Sequence, residues 1–174
     1  MVSADTHANG PQPEPVREID RAAIIDVSHR YAAGVDHRDW SMYRSVFTDV
    51  CAFDFSSWSA RPETTMPADE WVEAVRSVNG NFDATQHIMT NHRLTTVSPG
   101  TVVGVNEVQA QHWFGAAAMA RFGRPATEAW CLLGGHYTNR YVRTPGGWKI
   151  ASCQLTVRWR TGDESIFAFA RRPA

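Results

Sequence analysis

The sequence has no block of Lys or Arg, no CxxC pair and no apolar run of membrane-spanning length, and each absence removes a class of function. A formal net charge of -1, with the cations scattered, leaves no positive stripe to track a phosphate backbone, so nucleic acid is not an expected partner. The nearest basic grouping, Arg158 and Arg160 with Arg171 and Arg172, reads as solvated strand ends. Cys51, Cys131 and Cys153 are odd in number and widely spaced, which argues against a disulfide framework or a zinc knuckle and fits a reducing cytosol. Residues 1–16, rich in Pro, Gly and small polar side chains, lack the basic start and apolar stretch of a signal peptide. They are expected to form a flexible tail on a soluble, cytoplasmic protein with no membrane partner. No GxGxxG, Walker loop, GxSxG motif or internal repeat is present, which sets aside nucleotide-binding and serine-hydrolase chemistry.

What is present is one domain's worth of patterned chain. At 174 residues and 43% apolar, the sequence suits a single core over 17–174. Ile19, Ala23, Ile24, Val27, Tyr31 and Val35 recur three or four apart, which predicts a helix fraying at Gly34. Asp39 is a plausible N-cap for a second helix that buries Trp40, Tyr43, Val46 and Phe47. A strand is expected over 50–55 and a third helix over 67–78, with Trp71, Val75 and Val78 inward. Strands then follow over 85–97, 101–114, 128–143 and 148–160, with a short fifth piece over 165–169. Pro99-Gly100 and Thr144-Pro145-Gly146-Gly147 mark hairpin turns, and 115–125 reads as a connection or flap. Helices first and long antiparallel strands afterwards predict an α+β domain, with helices on one face of a curved sheet.

The candidates for chemistry are the polar groups set into apolar patterns, because a buried His, Asp or Tyr is costly unless paired. Seven histidines are available: His7, His29, His37, His87, His92, His112 and His136. His87 and His92 stand five apart in a predicted strand, so ideal alternation sends them to opposite faces, and no HExxH occurs. No metal is expected. Tyr31 alone reads as a core tyrosine with its hydroxyl at the rim, and Asp36 alone as a carboxylate near the start of the next helix. Residues five apart on an ideal helix diverge by about 140°, so Tyr31 and Asp36 can share a pocket only if the helix ends or distorts around Gly34. His87 shares an ideal strand face with Met89, Asn91 and Arg93. His112 shares one with Val108, Ala110 and Phe114.

Three segments carry a resemblance over about residues 21–160: RAAIIDVSHRYAAGVDHRDW, ATQHIMTNHRL and GGHYTNRYVRTPGGWKI. In this order they resemble the SnoaL-like branch of the nuclear-transport-factor-2-like superfamily, in the group that holds scytalone dehydratase, bile-acid dehydratase and lindane dehydrochlorinase. The resemblance implies a cone-shaped sheet packed with N-terminal helices around a deep apolar pocket. It implies a His-Asp dyad, here His87 and Asp36, with Tyr31 and His112 as further catalytic residues. Asn139, Trp113, Met89 and Phe55 are expected at the pocket wall. Where the lindane enzyme carries an arginine that helps a departing chloride, the resemblance places Cys153 in this chain.

The function implied is a cofactor-independent dehydratase acting on a hydrophobic small molecule: a hydroxylated polyketide-like, steroid-like or aromatic ketone. His87 is the expected base, Asp36 its orienter, Tyr31 a donor to the departing oxygen or enolate, and His112 an assistant or a holder of a carbonyl. An isomerase or cyclase on the same dyad is the nearest alternative, and a non-catalytic binding or assembly module a second one. The resemblance also implies a homo-oligomer, with a trimer as one form.

Overall fold

A period near 3.6 carries the chain into α1 (Glu18–Asp36), whose inward face is Ile24, Val27, Tyr31 and Val35. The computed structural model describes residues 15–171. The expected tail lies outside them apart from residues 15 and 16, as do His7 and Arg172. The apolar stripe starts later than its spacing suggests: Ile19 is 71% exposed, Ala23 is exposed, and Asp20 takes the inward place. Asp20 is held there by Arg17 at 2.8 Å, by Arg143 and by the Trp148 indole N–H at 3.1 Å. These partners offset the cost of burying its carboxylate.

The helix does not fray at Gly34 but continues to Asp36. The glycine serves close packing instead. A Cβ there would lie 2.7 Å from the backbone N of Tyr43, which belongs to α2 (Trp40–Ser45). Asp39 caps α2 as expected, its Oδ1 accepting the Met42 N–H at 2.9 Å.

The chain then forms β1 (Phe47–Asp54), α3 (Ser56–Ser59), β2 (Thr64–Pro67) and α4 (Ala68–Asn79). The long strands are β3 (Ala84–Ser98), β4 (Thr101–Phe114), β5 (Ala129–Thr144) and β6 (Gly147–Gly162), with α5 (Ala116–Arg121) between β4 and β5 and α6 (Ile166–Ala170) after β6. Strand order is β2-β1-β6-β5-β4-β3. The sheet is mixed rather than wholly antiparallel, because β1 runs parallel to β6. Neither α3 nor β2 is foreshadowed by sequence pattern. The 115–125 connection contains α5, and the piece over 165–169 is helical, since Ile166, Phe167 and Ala170 bury one helix face.

Alternation on β4 sends Val102, Asn106, Val108, Ala110, His112 and Phe114 to the buried side, while α1 packs against β3 and β6 and reaches β4 through Ser28 and Asn106. On β3 the alternation breaks. Asn91 adopts φ 55° within a register shift between Thr90 and Arg93, so His92 and Leu94 turn inward and Arg93 outward. His87 and His92 therefore share a face, contrary to ideal alternation. They still do not meet, because the His92 ring packs on His29 at 5.7 Å between centroids. Among the described residues no three His, Cys, Asp or Glu side chains are placed to hold a metal, and no helix is long and apolar enough to cross a membrane.

Candidate active site

The C-terminal end of α1 abuts the start of β3, and two side chains meet there. Asp36 Oδ1 lies 2.7 Å from His87 Nδ1, and Asp36 Oδ2 accepts the His87 backbone N–H, also at 2.7 Å. Thr85 donates its hydroxyl to Asp36 Oδ1 at 2.9 Å. Burial alone would raise the Asp36 pKa, but the bonds and charge of His87 and the Thr85 hydroxyl outweigh it and hold the carboxyl below its ordinary value. An ionised Asp36 accepts, so His87 carries its proton on Nδ1 and keeps Nε2 as a lone pair.

His87 lines a cavity of about 580 Å³. Phe53, Phe55, Trp58 and Trp71 supply much of its apolar wall, while Tyr31, Tyr137 and His112 bring polar atoms to it. Asp36 is not part of that wall. The helix is regular, so Tyr31 and Asp36 diverge as geometry requires, and His87 bridges the gap from β3 with Asp36 behind it.

His112 is 5% exposed, with its ring edge-on to His87 at 5.6 Å between centroids and to Phe167 at 4.7 Å. Its Nε2 meets Asn79 Oδ1 at 3.0 Å, and Asn79 orients its own amide by donating Nδ2 to the Val75 carbonyl at 3.3 Å. That contact makes Nε2 the protonated nitrogen. Burial, reinforced by His87, pushes the His112 pKa down to about 3. The ring is neutral, its one N–H belongs to Asn79, and none is left to hold a carbonyl.

The phenols form a second group. Tyr31 donates to Tyr137 at 3.2 Å, and the Trp71 indole N–H donates to the Tyr43 hydroxyl at 2.9 Å. Burial raises the pKa of Tyr31, Tyr43 and Tyr137, so all three stay protonated near neutrality. Tyr31 gives its proton to Tyr137, so of that pair Tyr137 is the hydroxyl able to donate into the cavity.

Residues 17–154 match the model of the SnoaL-like domain. The chain belongs to the SnoaL-like family. It is 26% identical over 159 residues to scytalone dehydratase of Pyricularia oryzae, covering 87% of this chain and 88% of that protein. The crystal structure of the Kfla4162 protein of Kribbella flavida is 31% identical, covers 89% of this chain and 99% of that one, and superposes with a TM-score of 0.75. The hexachlorocyclohexane dehydrochlorinase LinA-type3 of Novosphingobium barchaimii shares the fold at 22% identity, with a TM-score of 0.66 over 84% of this chain and 91% of that one.

Within this SnoaL-like cone, Tyr31, His87, His112 and Phe55 line the cavity, and three other wall candidates do not. Trp113 follows His112 directly on β4, so alternation turns it to the outer face of the sheet. Met89 is inward but contacts the Asn106 amide at 3.1 Å instead of the cavity. Asn139, one inward step past Tyr137 on β5, joins Ser28, Asn106 and Tyr141 in a separate buried polar cluster, donating to Tyr141 at 3.1 Å. Cys153 is fully buried beside the tyrosines and presents no cation.

Sequence reasoning missed Tyr137, Asn79 and Tyr43 as polar members of the SnoaL-like pocket. Tyr137 carried a signal, lying two residues from Asn139 in the YTNRY run, at an inward position of the same strand. Asn79 carried none, because its partner stands on a strand 33 residues away.

Proposed function

We propose that this SnoaL-like protein is a cofactor-independent dehydratase that removes water from a hydroxylated aromatic or polyketide-like ketone. One observation carries the reading: the His87 ring lines an apolar cavity with Nδ1 occupied by Asp36, which leaves Nε2 as a base. Imidazole is the side chain best matched to proton transfer near neutrality.

His87 Nε2 takes the proton from the carbon next to the substrate carbonyl, and Asp36 stabilises the imidazolium that forms. Tyr137, itself accepting from Tyr31, donates to the carbonyl oxygen as negative charge collects there. The carbon–oxygen bond to the hydroxyl then breaks. The departing oxygen takes the proton back from Nε2 and leaves as water, so His87 ends neutral and the protons balance. The aromatic wall excludes bulk water and strengthens each of these interactions.

Chloride elimination is less well supported. The cationic side chains lining the cavity among the described residues are Arg61 and Arg171, both exposed, and Cys153 is a buried thiol beside Tyr31.

The test is a mass assay over a panel of hydroxylated polycyclic and phenolic ketones, chosen by thermal stabilisation of the protein. Loss of one water is expected, with His87→Ala and Asp36→Asn each at least about a hundredfold slower. Full activity in both variants overturns the reading. Turnover without a mass change assigns an isomerase or cyclase to the same site.

A further inference from the structure

Arg38 follows the dyad aspartate by two residues and adopts φ 61°, a left-handed conformation that non-glycine residues rarely take. Four acceptors surround its guanidinium. The two hydrogens of Nη1 are shared among the carbonyls of Val35 at 2.9 Å and Asp36 at 3.1 Å and Thr85 Oγ1 at 2.9 Å, and Nη2 donates to the Phe82 carbonyl at 3.0 Å. Two of these acceptors end α1, and the other two enter β3. The fork thus ties together the two segments that carry Asp36 and His87.

The contact with Thr85 also sets a direction. A threonine hydroxyl has one proton. With Arg38 donating to its oxygen, that proton is directed to Asp36 Oδ1, where Thr85 is found at 2.9 Å. The Asp36 carboxylate then accepts from Thr85, from the His87 main chain and from the His87 ring, and it has little freedom to rotate.

We infer that Arg38 is a positioning residue for the Asp36–His87 pair, acting through Thr85 and through the carbonyls on both segments, so that the carboxylate fixes a single His87 tautomer. A backbone held in a sparsely populated region beside such a pair is consistent with a conformation maintained for the site. The inference rests on the catalytic reading of the pair for its effect on rate, but the tautomer effect stands without turnover.

The first test therefore uses ligand-free protein. Long-range proton–nitrogen NMR correlation of histidine-labelled wild type is expected to show His87 as one tautomer, protonated at Nδ1. Arg38→Met and Thr85→Val are expected to give a mixture, and Thr85→Ser to restore the single form. A single Nδ1–H tautomer in both disrupted variants overturns the inference. If Arg38→Met does not fold, the Thr85→Val and Thr85→Ser pair decides it.

The second test uses the ketone identified by the mass assay. Arg38→Met is expected to lower kcat about tenfold or more, with KM changed less than about threefold. Arg38→Lys keeps the charge but not the fork, and is expected not to restore kcat. A loss of kcat with an unchanged tautomer marks Arg38 as structural and overturns the proposal. Turnover that survives His87→Ala removes the catalytic reading alone.

Discussion

Asp36 grips His87 twice, one carboxylate oxygen on the ring Nδ1 and the other on the backbone N–H, both at 2.7 Å. The ring is held in rotation by one bond and in position along β3 by the other. This arrangement needs the carboxylate charge. Since the Asp36 pKa is depressed on folding, its contribution to stability is fully present above the ordinary carboxylate value and is lost as pH falls through the folded value. Asp36→Asn is expected to remove that acid dependence, as read by urea melts between neutral and acid pH.

His112 gives a pH dependence over a higher range. Its pKa is about 3 in the folded protein, against about 6.5 for a free imidazole. Between these values the unfolded chain binds a proton that the folded chain does not, so stability declines as pH falls, by up to about 1.4 kcal/mol per unit. His112→Phe is expected to flatten this slope. An equal decline in variant and wild type between pH 6.5 and 4 would count against the buried neutral ring.

Tyr31 and Tyr137, two of the three phenols at the cavity, are expected to differ in weight. Tyr137 has a proton to offer substrate, whereas Tyr31 spends its own on Tyr137. Tyr137→Phe is expected to lower kcat about a hundredfold, in line with removal of one oxyanion donor. Tyr31→Phe is expected to cost less than about tenfold. Steady-state kinetics of both variants on one substrate decide the order, and a larger loss in Tyr31→Phe reverses the assignment.

Gly34 is a packing requirement rather than a break in the helix. An added methyl meets the Tyr43 backbone within 2.9 Å, and Gly34→Ala is expected to destabilise by about 1–3 kcal/mol despite the better helix propensity of alanine. The melting temperature is expected to fall. A rise would show that α1 and α2 can separate without cost.

The bulge at Asn91 makes a contrasting prediction. At φ 55° glycine is tolerated and a β-branched residue is not. Asn91→Gly is expected to stay within about 1 kcal/mol of wild type, and Asn91→Val to lose about 1–2 kcal/mol or more. Chemical denaturation of the pair measures the difference.

The sequence by itself determined the elements whose patterns are local. The inward face of α1 from Ile24 to Val35, the Asp39 cap, the hairpin turns and the alternation that sets His112 on one face with Val108, Ala110 and Phe114 all follow from period and turn chemistry. The resemblance carried by three short segments supplied the cone and named Asp36 and His87 as partners.

Only the tertiary structure decided what depends on distant chain or on a single inserted residue. One bulge residue reverses the parity of β3, bringing His92 to the face of His87. The parallel pairing of β1 with β6, about 100 residues apart, leaves no local signature. The hydrogen-bond direction at each polar group was equally hidden. That His112 has no free N–H, that Tyr137 rather than Tyr31 can donate, and that Arg38 directs the Thr85 proton toward Asp36 all depend on which partner stands opposite. A donor or acceptor becomes one only when folding supplies its complement.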